Sequence, residues 1–317
     1  MRICSLLPGA TEVVALLGRT RHLVGISHEC DYPPEIRTKP VLVRATMESG
    51  LLSSPEIDRR VRNSLQAGRP LYELDETMLV RVRPDLVIAQ TLCDVCAITP
   101  SQVTRALRVL STPPRVLSLG PSTLDEVLAD IGRIGEVIGR SLEAANLVDQ
   151  LRARLEAVLL QVAHAEKYPR VACLEWLDPL FSAGHWVPEM VACAGGVDVL
   201  GKPGAPSEQV TWEQLQAAKP DVLIIMPCGF SIARTKQEMS RLTKRTGWKK
   251  LPAVKQGTVF LVDGSSYFNR PGPRLIDGIE MLAACFHPSL KQTAGPDAVE
   301  RFTQPAPPSR KRSVARR

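Results

Sequence analysis

Apolar residues fall into short runs along most of the chain, and these runs alternate with segments in which they recur at helical spacing. The longest such segment lies near the middle. Leu147, Val148, Leu151, Leu155, Val158, Leu159 and Val162 recur at three- and four-residue steps, with Glu143, Asp149, Gln150, Arg152, Arg154, Glu156 and Gln161 between them. One apolar stripe beside one solvated face predicts a helix over residues 141–167. Ser141 is placed to cap it, Gly139 breaks any helix arriving from upstream, and Pro169 stops the run. About 25 residues at 1.5 Å each give a rod of roughly 37 Å, a spine between two halves.

In the first half, residues 2–7 predict a strand, and Pro8-Gly9-Ala10-Thr11-Glu12 a turn into a helix buried by Val13, Val14, Leu16 and Leu17. Val24-Gly25-Ile26 is the next strand, followed by a polar, Pro-rich loop over 27–34. Strands at 86–89 and 116–119 follow, the second leading to a helix capped by Thr123, with Glu126 completing a capping box. Strands alternating with helices predict parallel βαβ units, whose ligands sit at the carboxyl ends of the strands. The loops at Pro8, His28 and Cys93 leave such ends.

The second half repeats the first. A strand is expected at 170–175. Ala218-Lys219-Pro220-Asp221-Val222-Leu223-Ile224-Ile225 echoes Val82-Arg83-Pro84-Asp85-Leu86-Val87-Ile88-Ala89, and Val259-Phe260-Leu261-Val262 echoes 116–119. A last helix is expected over 274–286. The fold class is therefore α/β: two Rossmann-like lobes joined by a long backbone helix, with a ligand cleft between them. The expected boundaries are 1–122 for the first lobe, 123–168 for the connecting helices, 169–288 for the second lobe and 289–317 for a disordered tail.

Composition narrows the function. With 44% hydrophobic and 23% charged residues, and no apolar run long enough for a membrane span, the chain reads as globular. The tail holds seven Lys/Arg against two Asp/Glu, so it carries +5 of the net +7. The body then lacks a basic stripe, and no nucleic-acid partner is expected. The start runs straight into a strand without a signal peptide. As written, the chain is expected in the cytoplasm, or in the periplasm or at a membrane if its true N-terminus lies upstream. No G-x-S-x-G elbow, Walker loop or G-x-G-x-x-G occurs, so an enzyme is not expected.

Aromatics make up 4% of the chain, yet Trp176, Phe181, Trp186, Phe230, Tyr267 and Phe268 all fall in the strand-end loops of the second half. They are accompanied there by Asp178, His185, Asn269 and Arg270. A flat or apolar ligand stacks on such a wall.

Four features resemble class III substrate-binding proteins, the helical-backbone metal receptors that bind cobalamin, haem or ferric siderophores for ABC importers. They are Ser5-Leu6-Leu7-Pro8-Gly9-Ala10-Thr11-Glu12, Cys30-Asp31-Tyr32-Pro33-Pro34, the Pro-Asp pairs at Pro84 and Pro220, and the helix after Gly139. The resemblance covers residues 1 to about 288, and the Asp-Tyr-Pro-Pro loop is most similar to the cobalamin binders. It implies two rigid lobes, little hinge motion and a chelate held in the cleft as cargo, with no cofactor required. By that likeness Tyr32 lines the corrin, Trp176 is a wall aromatic, and Tyr267 and Phe268 lie near the ligand's lower face. Met47, Gln90 and Ser207 stand where family tryptophans sit. Glu76 and Glu213 stand for the glutamates that dock on an ABC permease. The expected ligand-binding set is Pro8, His28, Asp31, Tyr32, Gln90 and Cys93 from the first lobe, and Trp176, His185, Trp186, Phe230, Tyr267, Phe268 and Arg270 from the second. A monomer is expected.

The cysteines offer a competing reading. Cys93-Asp94-Val95-Cys96 is a CxxC, and His28 and Cys30 lie in a neighbouring loop. Two sulfurs from one turn with a His or Cys from another suit tetrahedral zinc. The alternative is thus a cytosolic metal-binding or redox protein with a His28/Cys30/Cys93/Cys96 site. His28 is also a candidate axial ligand to cobalt or iron.

Overall fold

The short apolar runs become the strands of two largely parallel sheets in a computed structural model that describes residues 1–50, 52–91, 98–290 and 298–303. In the first lobe these are β1 (Ile3–Ser5), β2 (Leu23–Ser27), β3 (Val41–Ala45), β4 (Tyr72–Leu74), β5 (Leu86–Gln90) and β6 (Arg115–Leu119). Their order is β4-β3-β2-β1-β5-β6, with only β4 antiparallel to its neighbour. The second lobe has β7 (Arg170–Leu177), β8 (Leu180–Ser182), β9 (Val197–Asp198), β10 (Val222–Ile225), β11 (Val259–Val262) and β12 (Val299–Arg301). The order there is β12-β11-β10-β7-β8, with β9 also paired to β7.

The Pro-Asp echo has a chemical cause. Asp85 Oδ2 accepts the Arg2 N–H at 2.7 Å, and the Asp85 N–H donates to Arg2 O at 2.8 Å. Asp221 repeats this on Arg170, accepting at 3.0 Å and donating at 2.7 Å. The arginine Nε then donates back to the end of the preceding helix, Arg2 to Val82 O at 2.7 Å and Arg170 to Ala218 O at 3.1 Å. Those helices, Glu76–Val82 and Trp212–Ala218, stop at Arg83 and Lys219 in the left-handed conformation, φ 40° and 45°. Each lobe therefore stitches two adjacent parallel strands together, β1 to β5 and β7 to β10, with the same device.

The spine helix runs Ser141–Val162, shorter than the expected 141–167. Arg140, not Ser141, occupies the cap position, after Gly139 at φ 66°. Ala144, Leu151, Val158 and Val162 are buried, so the helix rests on a narrow seam of residues seven and four apart. Leu159 lies off that seam and is 43% exposed, against expectation. Arg154 fixes the helix to Leu275–Phe286 through Glu280 at 2.8 and 2.9 Å and through Asp277.

One apolar cluster runs from Val13 and Ile88 of the first lobe through Ile131 and Leu151 to Val191, Ile224 and Leu282 of the second. Separate clusters cover the outer face of each sheet. The lobes thus share a core. The second lobe also reaches beyond the expected boundary at 288. β12 pairs antiparallel with β11, Ala298 is buried and Phe302 packs on the lobe-two cluster. The expected tail over 289–317 therefore contains a strand, because Ala298, Val299 and Phe302 give it apolar contacts that its charge count conceals. Residues 304–317 lie outside the described region.

Candidate functional site

The residues of the Ser5–Glu12 motif build the floor of the inter-lobe cleft. Pro8 opens the helix Pro8–Leu16, where its missing N–H costs nothing. Gly9 meets the second lobe backbone to backbone: a Cβ there would lie 1.9 Å from Pro271 O. Thr11 Oγ1 donates to Ser5 Oγ at 2.8 Å and lies 3.1 Å from Cys30 Sγ. Glu12, buried, receives both Nε (2.9 Å) and Nη2 of Arg274 from across the cleft. Burial pushes the Glu12 carboxyl above its usual value against the pull of Arg274.

Beside this pair, Arg270 Nη1 donates to Asp31 Oδ1 at 2.6 Å and Nη2 to Glu29 Oε2 at 3.3 Å. Asp31 and Arg270, both expected at a ligand, are turned onto each other across the lobes. Tyr32 is 42% exposed, with the Arg274 guanidinium 4.4 Å from its ring centre. The same guanidinium lies 5.6 Å from the ring of Tyr267, which is half-buried. Arg274 and Glu12 were not among the sequence candidates. The Pro-Gly-Pro-Arg run after Arg270 was the available signal.

A second bridge crosses the lobes at the helix Ser54–Gln66. Ser54 N and Oγ donate to Glu238 Oε2 at 3.2 and 2.9 Å, and Arg234 Nη2 donates to Leu52 O. Arg241 holds the same carboxylate. Burial acts to raise the Glu238 pKa, but the Arg241 and Ser54 bonds outweigh it and hold the carboxyl below its usual value.

The aromatics divide. Trp176 is half-buried with its ring 5.2 Å from that of Phe230, which also has the Arg234 guanidinium 4.6 Å from its ring centre. Trp186 and Phe268 are not wall residues. Both belong to the shared core, and the Trp186 Nε1–H donates to Phe268 O at 2.7 Å, satisfying a buried polar atom within that core. Phe230 is buried too, and contributes as the support of Trp176. His185 lies beside Trp186 with φ 52°, and its Nδ1 is buried without a hydrogen-bond partner among the described residues. Burial lowers its pKa below the usual imidazole value.

Of the expected thiol centre, His28 and Cys30 are described. Cys30 is buried under Thr11, its Sγ 3.1 Å from Thr11 Oγ1, and burial pushes its thiol up to about 11. His28 Nδ1 lies 3.1 Å from Val43 O, so that nitrogen carries the proton when the bond is made, leaving Nε2 at 3.4 Å from Glu29 Oε1. Cys93 and Cys96 lie outside the described residues. Among the described residues, no group of three or more His, Cys, Asp or Glu side chains could hold a metal. Glu76 and Glu213 both stand exposed in the first turns of the two corresponding helices, Glu76–Val82 and Trp212–Ala218. Gln90, at the end of β5, lines a small cavity with Leu7, Leu119, Asp130 and Pro271.

Residues 3–265 match the periplasmic binding protein family. The vitamin B12-binding protein of Vibrio cholerae is 25% identical over 293 residues, spanning 92% of this chain and 91% of that protein. An uncharacterised ABC transporter substrate-binding lipoprotein of Bacillus subtilis is 24% identical, over 90% and 80% of the two chains. The crystal structure of a periplasmic haem-binding protein from Pseudomonas aeruginosa superposes with a TM-score of 0.73 at 18% identity, over 96% of this chain and 99% of that one, which shows the fold. Two α/β lobes on a spine helix, with the family match over most of the length, place this chain in the periplasmic binding protein family.

Proposed function

We propose that the chain binds a metal chelate of the cobalamin, haem or ferric-siderophore class between its lobes, as the substrate-binding component of an ABC-type uptake system. The chelate is cargo and undergoes no reaction. The observation that carries this reading is the convergence of strand-end loops from both sheets on a braced floor. Tyr32 and Tyr267 share the Arg274 guanidinium there, and Trp176, near the carboxyl end of β7, backs onto Phe230 from the loop after β10. Aromatic faces at the carboxyl ends of parallel strands suit a broad, flat ligand. The name of the Vibrio relative favours a corrinoid, and the name of the Bacillus relative favours an importer. Glu76 and Glu213 are the proposed permease-facing pair.

The test is a titration of intrinsic tryptophan fluorescence with cyanocobalamin, dicyanocobinamide, haem and ferric hydroxamates. Saturable quenching by at least one is expected, and Trp176→Ala weakens that binding by about 1–3 kcal/mol, the scale for losing a buried aromatic contact. No quenching by any of the four contradicts the reading.

A further inference from the structure

The helix Ser54–Gln66 has little apolar hold on the molecule. Of its 13 residues only Ser54 and Ile57 are buried, and none belongs to an apolar cluster among the described residues. A Ser53–Glu56 capping box closes its first turn, so the helix is well formed in itself. What docks it is polar and comes from the opposite lobe. Ser54 is fully buried and gives its N–H and hydroxyl to Glu238, which is 6% exposed. Arg234 donates to Leu52 O just ahead of the helix. About two turns along, Arg62 Nη2 donates to Gln209 Oε1 at 3.1 Å.

These contacts place the helix at the cleft. The segment follows the carboxyl end of β3, the sheet edge from which the floor loops after β1 and β2 also leave. Its partners on the second lobe also support the aromatic wall. Arg234 and Glu238 lie on the helix Ile232–Glu238 after β10, and the Arg234 guanidinium lies 4.6 Å from the ring centre of Phe230, the neighbour of Trp176. Gln209 pairs with Phe181, which stands opposite Trp176 in the β7–β8 ladder. The helix therefore spans from one support of Trp176 to another. The floor is fastened differently: beside the Gly9–Pro271 contact, Leu7 and Ala10 belong to the shared core. An element with few buried apolar contacts, held by a handful of polar bonds, is the part of a fold that opens locally at least cost.

We propose that residues 52–66 form a strap latched across the cleft mouth by Glu238, and that a chelate enters and leaves when Ser54 lets go of that carboxylate. The lobes keep their places and only the strap moves. Arg234 Nη1, at 3.1 Å, and Arg241 Nε hold the carboxylate ready for the strap to return. This rests on the reading of the cleft as a chelate site, and it adds a control on access to that site.

The experiment compares the full chain with Ser54→Ala and Glu238→Gln by two readouts. The first is hydrogen exchange without ligand at pH 7. Residues 54–66 are expected to exchange faster than the helix Leu124–Val137, which packs in the shared core. In the variants their exchange rises about tenfold, the scale of one hydrogen bond to a charged group, while that of 124–137 stays as it was. The second is stopped-flow tryptophan quenching by cyanocobalamin, or by whichever of dicyanocobinamide, haem and the ferric hydroxamates binds instead. Association and dissociation rate constants are both expected to rise about threefold or more in the variants. A contact that only grips the bound chelate would raise dissociation alone, and that result overturns the gate. Strap exchange as slow as that of 124–137, or unchanged in the variants, overturns the latch without any ligand. Should Glu238→Gln fail to fold, Ser54→Ala decides. If none of the four chelates quenches, the chelate reading falls, and the latch is judged on exchange alone.

Discussion

At Cys30 the thiol lies under Thr11, 3.1 Å from its hydroxyl, with burial pushing the thiol up to about 11. Such a thiol reacts only when the structure opens. Cys30 is therefore expected to resist iodoacetamide in the native protein and to be labelled at the rate of global unfolding. Mass-spectrometric labelling within minutes under native conditions would contradict this. Gly9 gives a second test at the same scale. Gly9→Ala places a methyl against Pro271 O, a backbone atom that cannot rotate away, and the lobes must shift. A loss of about 1–3 kcal/mol is expected in denaturant unfolding. His185 adds a pH dependence. Burial lowers its pKa, so the unfolded chain binds the proton more readily. The stability held by the neutral ring is then lost as pH falls below the usual 6.5. His185→Asn, which tolerates φ 52°, is expected to flatten the decline in melting temperature between pH 7 and 5. At this scale the sequence named Asp31, Tyr32, Trp176 and Arg270 but could not say which would pair with each other. Arg270 and Asp31 are 239 residues apart, and nothing local encodes their contact.

Among the elements, β1, β2, β5, β6, β7, β10 and β11, the Thr123 cap with its Glu126 box and the Pro-Asp repeat were readable, because each depends on neighbours in sequence or on simple periodicity, whereas β3, β4, β8 and β9 were not named. The spine helix was readable in place but not in extent, since its seam is set by the helices packed against it. The end of the second lobe was misread. Charge and proline dominate residues 289–317, yet 299–301 finish the sheet and Lys236 meets Glu300 at 2.6 Å. Truncation after Pro288 removes β12 and is expected to lower the melting temperature by several degrees, whereas truncation after Thr303 leaves it unchanged. Equal melting temperatures for the two truncated chains would show that β12 contributes no stability.

Over the whole molecule, the two lobes are held by a continuous apolar core, by the Gly9–Pro271 contact, and by polar bridges from Glu12, Asp31 and Ser54. This suits a cleft whose walls stay in place while a ligand enters, in keeping with the rigidity that the family resemblance implied. The two-lobed plan was legible from the repeat alone. The bracing of the cleft was not, because it is made of pairs that only the folded chain brings together. The central claim is that a chelate binds between the lobes and touches both. Hydrogen exchange with and without saturating cyanocobalamin measures this most directly. Slowed exchange is predicted at once in residues 28–34 of the first lobe and 263–272 of the second. Protection confined to one lobe, or found only on surfaces away from the strand-end loops, would contradict the account.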